Sequence, residues 1–251
     1  MSRNILLTLR YDGSGYHGWQ LQNNALTVQQ KMNEAVNAVF HEDVNVCGCS
    51  RTDTGVHANM FCCSFRTNKE IAVERIPDAV NYYLPKDVSV YGARLVPQSF
   101  HARFSCIGKE YLYQIYNDRY RNPFFEQRAL LYPYYLDETL LNREAQSFLG
   151  KHDFSGFCSA GSEVIDRIRT IRSVGVSRED NVVTLRISGD GFLYNMVRII
   201  VGTLISVNEG KIPQGSIPEI IDSRDRLRAG ITAPAQGLYL NKVFYNGEDR
   251  T

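Results

Sequence analysis

Net charge is almost absent from this chain: 28 Lys and Arg stand against 27 Asp and Glu, a formal +1. Bulk electrostatics therefore gives no argument for a nucleic-acid partner. Long apolar runs are also missing. Met1–Arg10 passes directly into a strand-like pattern, so neither a signal peptide nor a membrane span is expected. Cys47, Cys49, Cys62, Cys63, Cys106 and Cys158 show no zinc-knuckle spacing. They read as reduced, mostly buried thiols of a cytosolic protein. His17, His41, His57, His101 and His152 are scattered, with no HExxH or facial-triad spacing. There is no P-loop, and Gly13-Ser14-Gly15 lacks the rest of a dinucleotide fingerprint. No Ser or Cys sits in a nucleophile elbow. What remains is chemistry without metal or cofactor, for which Asp53 is the best available nucleophile or base.

At 251 residues, 43% hydrophobic and 22% charged, the chain has the makeup of an ordinary globular protein, one large domain or two small ones. Its basic residues are unevenly chosen, 21 Arg to 7 Lys. Arginine is the better partner for phosphates and planar bases, because its fork is bidentate and its face stacks. A lineage bias toward Arg accounts for the count equally well.

Alternation and helical periodicity divide the chain into two similar halves. In the first, Ile5–Tyr11 reads as a strand and Asp12–Gly18 as a Gly-rich loop. Thr27-Val28-Gln29-Gln30 reads as a capping box opening a helix to about Phe40. Strands are expected over Val44–Cys49 and Asn59–Phe65, a helix over Glu70–Tyr82 and a strand over Val88–Val96. That order is the β-α-β-β-α-β ferredoxin-like pattern. In the second half, strands are expected over Lys109–Tyr116, Ile168–Ser177, Val182–Ser188 and Leu238–Tyr245. Helices are expected over Asp137–Leu149, capped by Asp137, and over Phe192–Val207. The expectation is an α+β protein with domains 1–103 and 104–251. Their mixed or antiparallel sheets would join edge to edge with helices on one face, and the cleft between the halves would be the ligand site.

Three places can carry chemistry. The loop Arg51-Thr52-Asp53-Thr54-Gly55 lies between two strands and sets a carboxylate two residues from a guanidinium. Loops on a rigid sheet often hold catalytic groups, although Asp and Gly also favour plain surface turns. Arg198 is the one charge in an otherwise apolar helix. It either pairs with a local acid such as Asp190, or snorkels, or points into the cleft and keeps a catalytic carboxylate ionised. Tyr111 alternates with Tyr113 along a strand. It is either a half-buried sheet residue or a cleft residue able to stack on a base and exchange a proton.

Five segments occur in a telling order: Tyr11-Asp12-Gly13 through Tyr16-His17-Gly18-Trp19-Gln20; Arg51 to Ala58; Phe100-His101-Ala102-Arg103-Phe104-Ser105; Met196-Val197-Arg198 before Val201-Gly202; and Thr232-Ala233-Pro234-Ala235 before Gly237-Leu238-Tyr239-Leu240. Together they resemble the TruA family of tRNA pseudouridine synthases, from Tyr11 to about Tyr245. The resemblance implies isomerisation of uridine to pseudouridine in the tRNA anticodon stem-loop, at family target positions 38–40, by a cytoplasmic homodimer without cofactor or metal. It implies Asp53 as nucleophile, Arg51 as the residue that flips and holds the nucleotide, Tyr111 as the active-site tyrosine and Arg198 as the second arginine. His57 and Arg103 join Tyr111 and Arg51 as expected substrate contacts.

Two positions depart from the family pattern, Cys49-Ser50 where Ala-Gly is usual and Thr54 where Ala is usual. Serine would strain the backbone if that position required positive φ. Two competing readings are an RNA-binding module without turnover and a small-nucleotide enzyme. The first does not need a carboxylate in a phosphate-binding cleft, where it would repel the ligand.

Overall fold

The computed structural model describes residues 2–162 and 164–246. In chain order its elements are β1 (Arg3–Tyr11), α1 (Val28–Phe40), β2 (Cys47–Gly48), β3 (His57–Thr67), α2 (Ile76–Tyr83), β4 (Val88–Val96), β5 (Cys106–Tyr116), β6 (Leu130–Leu131), α3 (Glu138–Ala145), β7 (Gly150–Asp153), β8 (Ile168–Glu179), β9 (Val182–Gly189), α4 (Met196–Asn208), α5 (Ile217–Ser223) and β10 (Leu238–Tyr245). The architecture is α+β. The chain forms two compact units, one made of residues up to Ile107 together with those from Tyr239 on, the other of Gly108–Leu238. β10, expected with the second half, pairs in parallel with β3 of the first unit.

In the first unit the strand order is β4-β1-β3-β10. The register sets Ile5, Leu7 and Leu9 opposite Phe65, Cys63 and Phe61. All six side chains are buried. On α1 the period-3.6 residues Met32, Val36 and Phe40 are buried as well, and the Phe40 and Phe65 rings meet at 5.1 Å. The Thr27 hydroxyl caps α1 by accepting from the Gln30 N–H. The reciprocal half of the expected box is not formed, and Gln30 Nε2 donates to Glu34.

Two expected elements are shorter than the pattern indicated. The strand expected over Val44–Cys49 shrinks to β2, because the Val44 and Val46 N–H groups donate to the Asn37 and Asn33 side chains of α1 rather than to a neighbouring strand. β2 pairs with Cys63 and Ser64, whereas β10 pairs with His57 and Ala58. The helix expected from Glu70 begins at Ile76, with a 3-10 turn over Val73–Arg75 before it. Pro77 has no N–H to donate, and only a helix's first turn tolerates that.

In the second unit β5, β9, β8 and β7 pair antiparallel in that order, and β6 lies parallel to the end of β5. Tyr111, Tyr113 and Ile115 stand opposite Ile187, Leu185 and Val183. The same face is buried throughout, as is nearly all of α4. Glu110 and Leu112 point the other way, and Glu110 forms a 2.9 Å ion pair with Arg186 of the neighbouring strand. Asp137 caps α3 by accepting from the Leu140 N–H. That helix gives way to a 3-10 turn over Gln146–Phe148. α4 starts at Met196 rather than Phe192 because Asn195 is left-handed, φ 60, a conformation that cannot continue a right-handed helix. β6, β7 and α5 were not expected.

Most thiols are buried as anticipated, but Cys47 is exposed and does not share the environment of Cys49. Burial pushes the Cys63 thiol well up, which leaves it unreactive. Among the described residues no helix is long and apolar enough to cross a membrane.

Candidate active site

Asp53 sits in a loop whose shape is set by main-chain contacts. The first of the five segments lies directly against it. The Trp19 N–H donates to the Thr52 carbonyl at 3.2 Å, and the Gly55 N–H donates to the Tyr16 carbonyl at 3.2 Å. Within the loop the Val56 N–H closes a turn on the Asp53 carbonyl, and Gly55 takes φ 77, which favours glycine. The Tyr11 and Thr52 hydroxyls share a buried 2.9 Å hydrogen bond. A Cβ on Gly13 would lie 2.0 Å from the Val56 carbonyl oxygen, and one on Gly18 2.2 Å from that of Thr52. Both glycines are therefore required for the two segments to touch. The Tyr16 hydroxyl donates to Asp87 at 2.7 Å. Burial first, and then the Asp87 carboxylate, push that hydroxyl well up, so it remains a donor.

His57 ends the loop and begins β3. It is 2% exposed. The Gly13 N–H donates to its Nδ1 at 3.0 Å, and Asp12 Oδ1 lies 3.2 Å from the same nitrogen. The ring stacks on Tyr239 at 4.6 Å. Gly13, His57 and Tyr239 thus form one layered contact, drawn from three of the five segments. This burial gives His57 a part in holding the loop and leaves it little surface for a nucleotide.

Arg51 is exposed and Asp53 is half-buried. Ser50 is not among the residues with positive φ, so the serine carries no left-handed strain. The Thr54 side chain belongs to an exposed residue and has room in solvent. Neither departure disturbs the loop. Arg103 is exposed in the same unit, its guanidinium 5.8 Å from the Phe104 ring.

Tyr111 and Arg198 belong to the second unit. Tyr111 is 7% exposed and meets Phe192 edge to face at 5.1 Å. Arg198 is intermediate in exposure and lies in the first turn of α4. Its Nε donates to the Ala233 carbonyl and its Nη1 to Asn195 Oδ1, both at 2.7 Å. The Ala233 N–H donates back to the Arg198 carbonyl at 3.1 Å. The Tyr113 hydroxyl donates to the next carbonyl, Pro234, at 2.8 Å. Burial pushes that hydroxyl up, with Arg198 opposing. α4 approaches this strap closely. A Cβ on Gly202 would stand 1.8 Å from the Ile231 carbonyl oxygen, and one on Gly230 2.5 Å from that of Gly202. The fourth and fifth segments are thus one packed assembly as well. The structure brings Arg51, Asp53 and His57 into one loop, and sets Arg198 and Tyr113 on adjacent carbonyls of one strap. Sequence reasoning missed the part played by Gly13, Gly18, Gly202 and Gly230. For Gly13, Gly18 and Gly202 a position inside the motifs was the available signal, whereas Gly230 stands outside them.

The tRNA pseudouridine synthase family profile matches residues 8–105 and 145–246. The chain is 48% identical over 243 residues to tRNA pseudouridine synthase A of Acetivibrio thermocellus, covering 97% of this chain and 100% of that protein. It is 45% identical over 244 residues to the protein of the same name from Ruminiclostridium cellulolyticum, with the same coverage. A solved Cbf5-Nop10-Gar1 complex matches at 10% identity and TM-score 0.36, covering 94% of this chain and 57% of that one. The chain belongs to the tRNA pseudouridine synthase family, in its TruA branch, and is an isomerase that turns uridine in tRNA into pseudouridine.

Proposed function

We propose that the protein acts on the anticodon stem-loop of tRNA, at positions 38–40, with Asp53 as nucleophile. It works as a cytoplasmic homodimer without cofactor or metal. The observation that carries this reading is the Asp53 loop, a half-buried carboxylate on a backbone braced by two close-approach glycines. Such bracing holds a reacting group in one geometry, from which even a 1 Å displacement costs about a hundredfold in rate.

The reaction breaks the N1–C1′ bond, turns the uracil, and joins C5 to C1′. The proton lost from C5 is balanced by one gained at N1. A carboxylate that bonds transiently to the sugar or the ring, and then leaves, divides this into two easier steps. It must be ionised near neutral pH, which a neighbouring guanidinium favours by charge. The target base must leave its stack, at roughly a few kcal/mol. Arg51, exposed beside Asp53, fills the vacated space or grips the phosphate. Tyr111 stacks on the flipped ring and assists the proton loss. Arg198 serves as the second arginine of the reaction. Arg103 contacts the RNA backbone, and His57 shapes the loop.

The test is incubation with unmodified tRNA followed by chemical-adduct sequencing of pseudouridine. Conversion confined to positions 38–40 supports the assignment. Conversion elsewhere in the tRNA refutes the target, and no conversion refutes the activity.

A further inference from the structure

Phe104 is 77% exposed. Isolated apolar residues on a surface are ordinary. This one differs in how it is mounted. His101 Nδ1 accepts from the N–H groups of both Arg103 and Phe104, at 3.1 and 3.4 Å. The His101 N–H donates to the Ser105 hydroxyl, and the Ser105 N–H returns a bond to the His101 carbonyl. Ala102, fully buried, anchors the turn to the sheet. Its N–H donates to the Ser64 hydroxyl at 3.1 Å, and its carbonyl accepts from the Tyr245 hydroxyl at 2.7 Å. Burial holds that tyrosine hydroxyl in its protonated, donating form. The result is a knuckle with little freedom at its tip. The Phe104 ring rests on the His101 ring, centroids 4.4 Å apart, with the Arg103 guanidinium 5.8 Å away.

A flat apolar face, held rigidly in solvent beside a guanidinium, matches a flat ligand that carries an anionic backbone. An unpaired nucleobase has that chemistry, since its π-face stacks on an aromatic ring while its phosphate meets Arg. We infer that Phe104 is a stacking platform for an unpaired base of the tRNA substrate, a site distinct from the residues that act on the target uridine. This inference deepens the proposed function and rests on it. Phe104 is a positioning residue here, since it touches the RNA outside the reacting nucleotide.

Three proteins test it: the wild type, Phe104→Ala and Phe104→Trp. The ring is exposed, so neither change disturbs the core. The expected result is a Kd for unmodified tRNA raised about 5- to 150-fold by Phe104→Ala, with KM rising in parallel. The slope of log Kd against log salt should stay unchanged, because no phosphate contact is removed. Phe104→Trp should bind within about threefold of wild type, and its exposed indole should be quenched on binding, since stacking is the interaction retained. The natural Trp19 is 1% exposed and serves as the silent background. Leu227→Ala, at a residue 91% exposed, is the control for loss of any surface apolar group and should bind as wild type.

A Phe104→Ala variant that binds within twofold of wild type overturns the inference, as does an indole unquenched at saturation. So does a loss of affinity that follows dissociation of a dimer in light scattering, which would make a second copy of the chain the occupant. If wild-type protein converts uridine and the variants are indistinguishable from it, the platform alone fails. If wild-type protein neither binds nor converts tRNA, the proposed function fails with it.

Discussion

A methyl group added at Gly13 would stand 2.0 Å from the Val56 carbonyl oxygen, and the same group at Gly18 would stand 2.2 Å from that of Thr52. Neither contact can form, so Gly13→Ala or Gly18→Ala must displace the backbone on either side of Asp53. Each should lower single-turnover pseudouridine formation by about a hundredfold, the usual effect of a displacement near 1 Å. An unchanged rate in both would show that the loop's shape does not matter. Ser50 leads to the opposite expectation. It is outside the left-handed region, so Ser50→Gly should leave the rate within about threefold. The loop that carries Asp53 and Arg51 was legible because its pattern is local, a carboxylate and a guanidinium two residues apart between strands. The glycines were not legible in the same way. Their role is a contact between segments about forty residues apart in sequence, and no local pattern encodes it.

Among the elements, α4 and the strap after Gly230 are bound through main-chain atoms. Gly202→Ala would press a methyl group into the Ile231 carbonyl, 1.8 Å away. Overpacking of this kind costs about 1–3 kcal/mol, to be read as a lowered urea midpoint at constant m-value. A wild-type midpoint would contradict the packing. Arg198→Leu removes the donors to Ala233 and Asn195. It should lower both the melting temperature and turnover, and unchanged values of both would dismiss Arg198 from the site. Asp153, at the end of β7, is held below the usual carboxylate range, first by the Ser155 hydroxyl and also by Arg224. A lowered folded-state pKa adds stability above the unfolded value of about 3.9, and that stability is lost as pH falls through the folded value. Melting temperature should therefore drop below about pH 4, and Asp153→Asn should flatten that acid branch. An equally steep branch in the variant would refute the assignment. Element type was legible where the apolar period is clear, as in β4 and α1. β7 escaped notice because Gly150-Lys151-His152-Asp153 has no buried alternation, and α5 because seven residues are too few to display a period.

At the scale of the whole molecule, β10 is the part that local reading misassigned. Its alternation is plain, yet its partner, β3, lies about 180 residues earlier, and pairing over that distance leaves no trace in neighbouring residues. Leu240, Val243 and Tyr245 are buried there, and Tyr239 backs His57. A chain ending at Leu238 should lose cooperative melting of the first unit, and a native-like transition in calorimetry would contradict this. If the protein works as a homodimer, light scattering should report about twice 28.6 kDa, and a monomer mass at assay concentration would remove that part of the account. The central claim is that the Asp53 carboxylate performs the isomerisation, and its most direct test is single-turnover conversion of unmodified tRNA by Asp53→Asn with binding measured in parallel. The expected result is no pseudouridine and a Kd within about threefold of wild type, since the amide keeps the shape and loses the charge. Conversion at the wild-type rate would contradict it.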